Sequence, residues 1–342
     1  MRCFDGGVRL PTDRPIFVVG CPRSGTTMLQ LMLHAHPRIA LPPENRFVLP
    51  AYQRRHEFGD LRHPGRRAEL ARWMIGTRQF ADLGLAEQQV IDAVVAAPPT
   101  LGSALGTVFR LYAQRFGKPR WGDKRPAYLR SLPTLLRLFP DAQIVNIMRD
   151  GRDCVASLKE APWSSADLGD HITAWSRAAD ASLRAARRCP PDTYFMIRYE
   201  DLTADPPTQL RRLCEFLGED YDPAMAHPDE VARVAVPRYK TWHTRTHQSV
   251  TTERVRSWQH RLTAAEIERC EAVFGSRLNR FGYEQSTFSP PTPADRLDRA
   301  RLAVRDRLAP VRGLVDDARA VLRTHRLEPA VAALLTSGQC LR

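Results

Sequence analysis

Lysine is nearly missing from this chain: of 51 basic residues only Lys118, Lys124, Lys159 and Lys240 are lysines. A role given to one of these four is a role for a compact ammonium that arginine, a planar fork, does not duplicate. Cysteine is sparse and unpatterned. The seven thiols (Cys3, Cys21, Cys154, Cys189, Cys214, Cys270, Cys340) are odd in number and include no Cys-x-x-Cys pair, which argues against a disulfide framework and a zinc site and for a reducing compartment. No run approaches the roughly 18 apolar residues of a membrane span. The start, Met-Arg-Cys-Phe-Asp-Gly-Gly, has no apolar signal core, so a cytoplasmic protein without a transmembrane segment is expected. His34, His36, His243 and His247 show no metal-ligand spacing, and no metal is expected. Internal repeats and low-complexity tracts are absent.

What is present is a globular composition, 43% hydrophobic and 26% charged, with 27 prolines that call for many loops. The formal charge of +13 points to anionic partners without choosing among phosphate, sulfate, nucleic acid and acidic lipid. Arg14–Gly20 is a short apolar run ending in Gly, followed by a helical pattern over Thr26–Ala35, a strand-turn-helix unit. Residues 68–116 carry helical periodicity broken at Pro98-Pro99 and are expected to form a helical insertion. A second cycle runs through a helix near Tyr128–Phe139, a turn at Pro140-Asp141, the strand Gln143–Met148 and a new helix. A long helix near Asp167–Arg188 leads to a third apolar run, Tyr194–Arg198, and to the helix Thr208–Leu217. This alternation predicts an α/β fold with a mostly parallel central sheet flanked by helices, and ligands at the carboxyl ends of its strands. The expected organisation is a domain over 1–285, a Pro-rich linker over 286–293 and an Arg-rich helical tail over 294–342. That tail reads as a solvated helix packed on the core, ahead of a peripheral membrane element or an oligomerisation helix.

Gly20-Cys21-Pro22-Arg23-Ser24-Gly25-Thr26-Thr27 has P-loop spacing between a strand and a helix. Successive backbone N–H groups and a helix N-terminus there form a concave anion site. Nucleotide kinases need Lys and then Ser/Thr after the second Gly. Here Thr26 holds the Lys position, and the cation is Arg23, inside the loop. A loose Gly-x4-Gly turn alone is common, whereas the string from Pro22 to Thr27 is specific.

That string resembles the phosphosulfate loop of the sulfotransferase superfamily, which reads Pro-Lys/Arg-Ser-Gly-Thr-Thr; the tyrosylprotein sulfotransferases and bacterial relatives are similar to it. The similarity runs without a gap from Gly20 through His36-Pro37 to Glu44-Asn45-Arg46, where the tyrosylprotein enzymes have Glu-Thr-Arg. It places the catalytic base at Glu44, with Asn45 departing from Thr. Arg149-Asp-Gly-Arg-Asp-Cys-Val-Ala-Ser157 is similar to the family's second signature, which implies that Arg149 and Ser157 hold the 3′-phosphate of the nucleotide. Without the resemblance this string could equally be a capped turn with surface ion pairs. Trp121-Gly-Asp-Lys124-Arg-Pro126 resembles the segment whose Lys reaches the transferring group; on its own Lys124 would read as a solvated charge. Tyr199, in Tyr199-Glu-Asp-Leu202, falls on a nucleotide-contacting Tyr, and Ser257, before Trp258, on a Ser that assists catalysis.

The resemblance spans about Ile16 to Glu284. It implies 3′-phosphoadenosine-5′-phosphosulfate as donor, bound by Pro22, Arg23, Ser24, Gly25, Thr26, Thr27, Arg149, Ser157 and Tyr199, without a metal. Glu44 would act as general base, Arg23 and Lys124 would stabilise the transferring group, and Ser257 would assist. The expected acceptor is a hydroxyl (or amine) on a carbohydrate, lipid or small molecule, ahead of a tyrosyl peptide. Nucleic acid is not an expected partner, since no compact basic stripe with interleaved aromatics is present. A homodimer is compatible with this reading. The rival readings are a P-loop small-molecule kinase and a non-catalytic polyanion-binding protein.

Overall fold

A computed structural model describes residues 13–235 and 249–286 of the chain. Most of the proposed linker, the tail at 294–342, and Lys240, His243 and His247 lie outside the described residues. Five strands form one sheet: β1 (Ile16–Gly20), β2 (Ile39–Ala40), β3 (Arg120–Lys124), β4 (Gln143–Met148) and β5 (Tyr194–Arg198). Their order is β2-β3-β1-β4-β5, and every pair is parallel. Parallel neighbours require crossover connections, which here are helical. They comprise α1 (Thr26–Ala35), α2 (Val48–Gln53), α3 (Pro64–Ile75), α4 (Glu87–Ala96), α5 (Leu101–Gln114), α6 (Leu132–Leu138), α7 (Gly151–Lys159) and α8 (Leu168–Arg188). After β5 come α9 (Tyr199–Ala204), α10 (Pro206–Leu217), α11 (Pro228–Ala235), α12 (Trp258–Arg261), α13 (Ala264–Phe274) and α14 (Ser276–Arg280).

Residues alternate across a strand, and β1 shows what that does when both faces are covered. Phe17 and Val19 join one core with Trp121, Phe109, Ile144 and Trp175. Ile16 and Val18 join a second with Leu29, Met32, Val145 and Leu210. The expected parallel sheet is therefore present, and its central strand reads as a continuous apolar run because neither face meets water.

Several boundaries differ from the sequence reading for identifiable reasons. β1 starts at Ile16, two residues later than expected; Arg14 and Pro15 precede it, and the Arg14 side chain bonds the Asp141 carbonyl and Asp192. The helix expected at 128–139 divides into a 3-10 turn at Pro126–Ser131 and α6, with Pro133 in the first turn of the latter. α10 starts at Pro206 rather than Thr208, since Asp205 caps it by accepting from the Thr208 N–H. Two strands were not anticipated, β2 and β3. Among the described residues no helix is long and apolar enough to cross a membrane.

Candidate active site

The phosphate loop sits at the carboxyl end of the central strand, between β3 and β4, where an open parallel sheet changes direction. Its backbone is specific to its sequence. A Cβ on Gly20 would meet the Ile147 carbonyl oxygen at 2.6 Å, and one on Gly25, at φ +97°, would meet the Tyr199 ring at 2.6 Å. Arg23 is also left-handed, at φ +70°, a conformation costing a non-glycine residue about 1 kcal/mol. Such strain concentrates at functional sites. Ser24 turns both its amide and its hydroxyl onto the Cys21 carbonyl, at 3.1 and 2.7 Å, which closes the loop. α1 then begins at Thr26 with no side-chain cap and no acidic residue in its first turn. Thr26 and Thr27 thus open a helix whose N–H groups and dipole favour an anion.

Guanidinium groups gather beside this cradle. Arg149, at the end of β4, donates to the Arg23 carbonyl at 3.1 Å and to the Arg254 carbonyl, and lies 4.3 Å over the Tyr199 ring. Trp175 fixes the strand end by donating to the Arg149 carbonyl at 2.9 Å. Arg23 donates from Nε to Ser157 Oγ at 2.8 Å, joining the loop to α7. Burial, then the charge of Arg149, with further contributions from Arg261 and Arg254, pulls the Arg23 guanidinium below its ordinary pKa. Arg149 itself is held above its ordinary value, because neighbouring groups that include Asp153, 3.8 Å away, outweigh its burial; the uncompensated charge of the pair is that of Arg23, where an anion would be favoured. Arg149 Nε is buried and has no hydrogen-bond partner among the described residues.

Asp153 organises the far wall. Its carboxylate accepts from the Arg256 N–H at 3.0 Å, the Ser257 hydroxyl at 2.8 Å and the Trp258 N–H at 2.9 Å. Ser257 also accepts from Arg261 at 3.0 Å, and Arg261 is paired with Glu160. Burial pushes the Asp153 carboxyl up, against the pull of Arg149. Gly151 opens α7 because a Cβ there would run into the rings of Trp175 and Phe274, at 2.6 and 2.7 Å.

Across the loop from this wall, Lys124 ends β3 as a buried residue and donates to Glu44 Oε2 at 2.8 Å. Burial pushes the Glu44 carboxyl up. The charge and hydrogen bond of Lys124, with Arg46 and Arg125, outweigh that and leave it below the ordinary value. Glu44 is therefore an ionised carboxylate at neutral pH, able to accept a proton. Asn45 is fully buried and turns inward, donating to Asp123 Oδ1 at 2.8 Å.

The structure brings Pro22–Thr27, Arg149, Ser157 and Tyr199 around one cradle and pairs Glu44 with Lys124. Ser257 lies on the Asp153 wall. Sequence reasoning missed Arg254 and Arg261, whose respective partners Arg149 and Glu160 are about a hundred residues away along the chain. No group of three His, Cys, Asp or Glu among the described residues could hold a metal ion.

A parallel sheet with a phosphate loop that carries arginine inside it, and a carboxylate-lysine pair nearby, is the arrangement that the resemblance to sulfuryl-transfer proteins implies. Comparison with known proteins agrees. The model described as "Sulfotransferase family" matches residues 15–223, more than half of the chain. Protein-tyrosine sulfotransferase 1 of Danio rerio is 28% identical over 295 residues, covering 82% of this chain and 75% of that protein. Nodulation protein NoeE of Sinorhizobium fredii is 27% identical over 300 residues, 79% of this chain and 66% of that protein. The sulfotransferase domain of the Synechococcus PCC 7002 olefin synthase superposes with a TM-score of 0.53 at 22% identity, covering 83% of this chain and 99% of that one, a likeness of fold. The chain belongs to the sulfotransferase family and is a sulfotransferase enzyme.

Proposed function

We propose that the protein transfers a sulfuryl group from 3′-phosphoadenosine-5′-phosphosulfate to a hydroxyl (or amine) acceptor, with Glu44 as general base. The observation that carries the donor assignment is the arginine cradle itself: buried Arg149 stands beside half-buried Arg23, bonded to its carbonyl, and Arg149 Nε lacks a partner among the described residues. A doubly anionic nucleotide end supplies the missing acceptors. Loop amides, Arg23 and the first turn of α1 would hold the 5′ end, while Arg149 and Ser157 hold the 3′-phosphate. Ser157 has its hydroxyl proton to give, since it accepts from Arg23. Tyr199 acts from beneath, packed against Gly25 and under Arg149.

In the transfer, Glu44 takes the proton of the acceptor hydroxyl as its oxygen bonds to sulfur. The bond from sulfur to the bridging oxygen breaks, and that oxygen leaves with the electron pair on 3′-phosphoadenosine-5′-phosphate. Positioning and electrostatics supply most of the acceleration in transfers of this type. Lys124 and Arg23 are the cations for the charge that spreads onto the transferring group and bridge oxygen. Ser257 enters as a positioning group, because its hydroxyl proton is directed to Asp153. No step assigned to these residues calls on a metal ion.

The proposed acceptor is a hydroxyl on a carbohydrate, lipid or small molecule, ahead of the tyrosyl group named in the zebrafish relative. The kinase and polyanion-binding alternatives gain no support from the family match. Glu44→Gln tests the reading: it should bind 3′-phosphoadenosine-5′-phosphate as the wild type does, yet transfer sulfur-35 from labelled donor about 10² to 10⁴-fold more slowly. Undiminished transfer by this variant would remove Glu44 from the mechanism.

A further inference from the structure

Glu44 lies in an irregular stretch, residues 41–47, between β2 and α2. A base on such a segment needs anchors, because helix and strand geometry do not supply them. The ends of the stretch have their own: Gln30 donates to the Pro42 carbonyl, and the Phe47 ring stacks on Phe109 at 5.3 Å. The middle is held differently. Two consecutive residues, Glu44 and Asn45, bond two consecutive residues of β3, Lys124 and Asp123, at 2.8 Å each.

These two bonds are not equivalent. In the proposed reaction Lys124 must serve the transferring group, so the bond it makes to Glu44 weakens at the moment the base is needed. The Asn45–Asp123 bond has no such second duty. Asp123 is fully buried, as is Asn45, and its other oxygen accepts from the Tyr128 hydroxyl. The Tyr128 ring is itself buried edge-on against Phe17 of the central strand, with centroids 5.8 Å apart. The chain of contacts therefore runs from the sheet core to the residue next to the base.

We propose that Asp123 and Asn45 form a clamp that holds Glu44 in its reactive position while Lys124 turns to the transferring group. Asn45 and Asp123 are positioning residues in this account; neither touches substrate. A displacement of a catalytic group by about 1 Å can cost on the order of 10²-fold in rate, so a clamp of this kind is felt in turnover rather than in donor binding.

This inference rests on Glu44 being the base, and its test separates the two ideas. The full chain is loaded with sulfur-35-labelled 3′-phosphoadenosine-5′-phosphosulfate, and single-turnover loss of label to water is followed alongside the affinity for 3′-phosphoadenosine-5′-phosphate. Asn45→Ala and Asn45→Ser should lower the rate per bound donor by about 10²-fold while nucleotide affinity stays within about twofold, a split that general destabilisation does not produce. Asp123→Asn should retain the rate within about threefold. Asn45 Oδ1 has no partner, so its amide can turn over and accept from the new carboxamide, which still accepts from Tyr128. A crystal structure of Asn45→Ala with the nucleotide should show Glu44 out of reach of its wild-type position.

Wild-type rates in both Asn45 variants, or a loss in Asp123→Asn equal to that in Asn45→Ala, would overturn the clamp. Glu44→Gln is run in parallel. If it too keeps the wild-type rate, the base assignment has failed and the clamp falls with it; if it alone is slow, the base stands and the clamp does not.

Discussion

Replacing Lys124 by methionine keeps the length of the side chain and deletes its charge, and its consequences can be worked from the geometry. The Lys124 side chain is 4% exposed and that of Glu44 29%, with N and O 2.8 Å apart. Breaking a fully buried pair costs about 3–5 kcal/mol. Partial exposure of Glu44 lets water recover part of that, so a loss of about 1–2 kcal/mol of stability is expected here. The effect on the base is directional. Lys124 is the main group holding the Glu44 carboxyl down against burial, so its removal lets that pKa rise. A carboxylate with a depressed pKa adds stability above the pKa of the unfolded chain and loses it as pH falls through the folded value. In Lys124→Met that contribution disappears, and the acid limb of the pH-rate profile moves to higher pH, because Glu44 must be ionised to act. Rate falls as well, by about 10² to 10³-fold, the usual loss when one preorganised transition-state cation or donor is removed. The assay is turnover of labelled donor across pH 4.5 to about 9, with thermal melts at the same values. An acid limb that does not move, or that moves to lower pH, would refute the coupling between Lys124 and Glu44.

Two further outcomes follow from the walls of the cradle. Asp153→Ala removes a buried carboxylate that holds three donors of residues 256–258; a loss of about 3 kcal/mol is expected by chemical denaturation. Nucleotide affinity should weaken with it, because the neighbouring Arg254 carbonyl holds Arg149, and unchanged affinity would show that this wall is independent of the cradle. Gly25→Ala places a Cβ 2.6 Å from the Tyr199 ring at φ +97°, which should cost about 1–2 kcal/mol in backbone strain alone and weaken nucleotide binding about tenfold; calorimetry that finds wild-type affinity would contradict the packing of Tyr199 under the loop.

Much of the sheet was legible in the sequence. β4 and β5 are visible as apolar runs of the observed length, and β1 as a run two residues too long at its start. For β1 and β4 the cause is that strands covered on both faces carry little but apolar residues; β5 is an edge strand with Met196 exposed, and its run is apolar all the same. β3 was not legible because Arg-Trp-Gly-Asp-Lys has no such pattern. Its polar residues are buried against partners the sequence does not place beside them. Arg120 pairs with Glu219 and also donates to Gln143, Asp123 is met by Tyr128 and Asn45, and Lys124 by Glu44. Tertiary partners override local preference in such a strand.

The site divides in the same way. The loop from Pro22 to Thr27 and the Arg149–Ser157 string are contiguous, and their position at strand ends could be read directly. Arg254 and Arg261 could not, since what ties them to the site are Arg149 and Glu160, distant in the chain. Asn45 illustrates a third case: its departure from the tyrosylprotein pattern was visible, but its partner was not, because that is a carboxylate 78 residues further on.

The central claim is that the arginine cradle binds a 3′,5′-bisphosphorylated adenosine rather than a nucleoside triphosphate with its metal. Calorimetric titration with 3′-phosphoadenosine-5′-phosphate, beside ATP with magnesium, tests it directly. The account predicts saturable binding of the former, lost in Arg149→Ala, and no comparable binding of the latter. Preference for magnesium ATP, or nucleotide binding indifferent to Arg149, would contradict it.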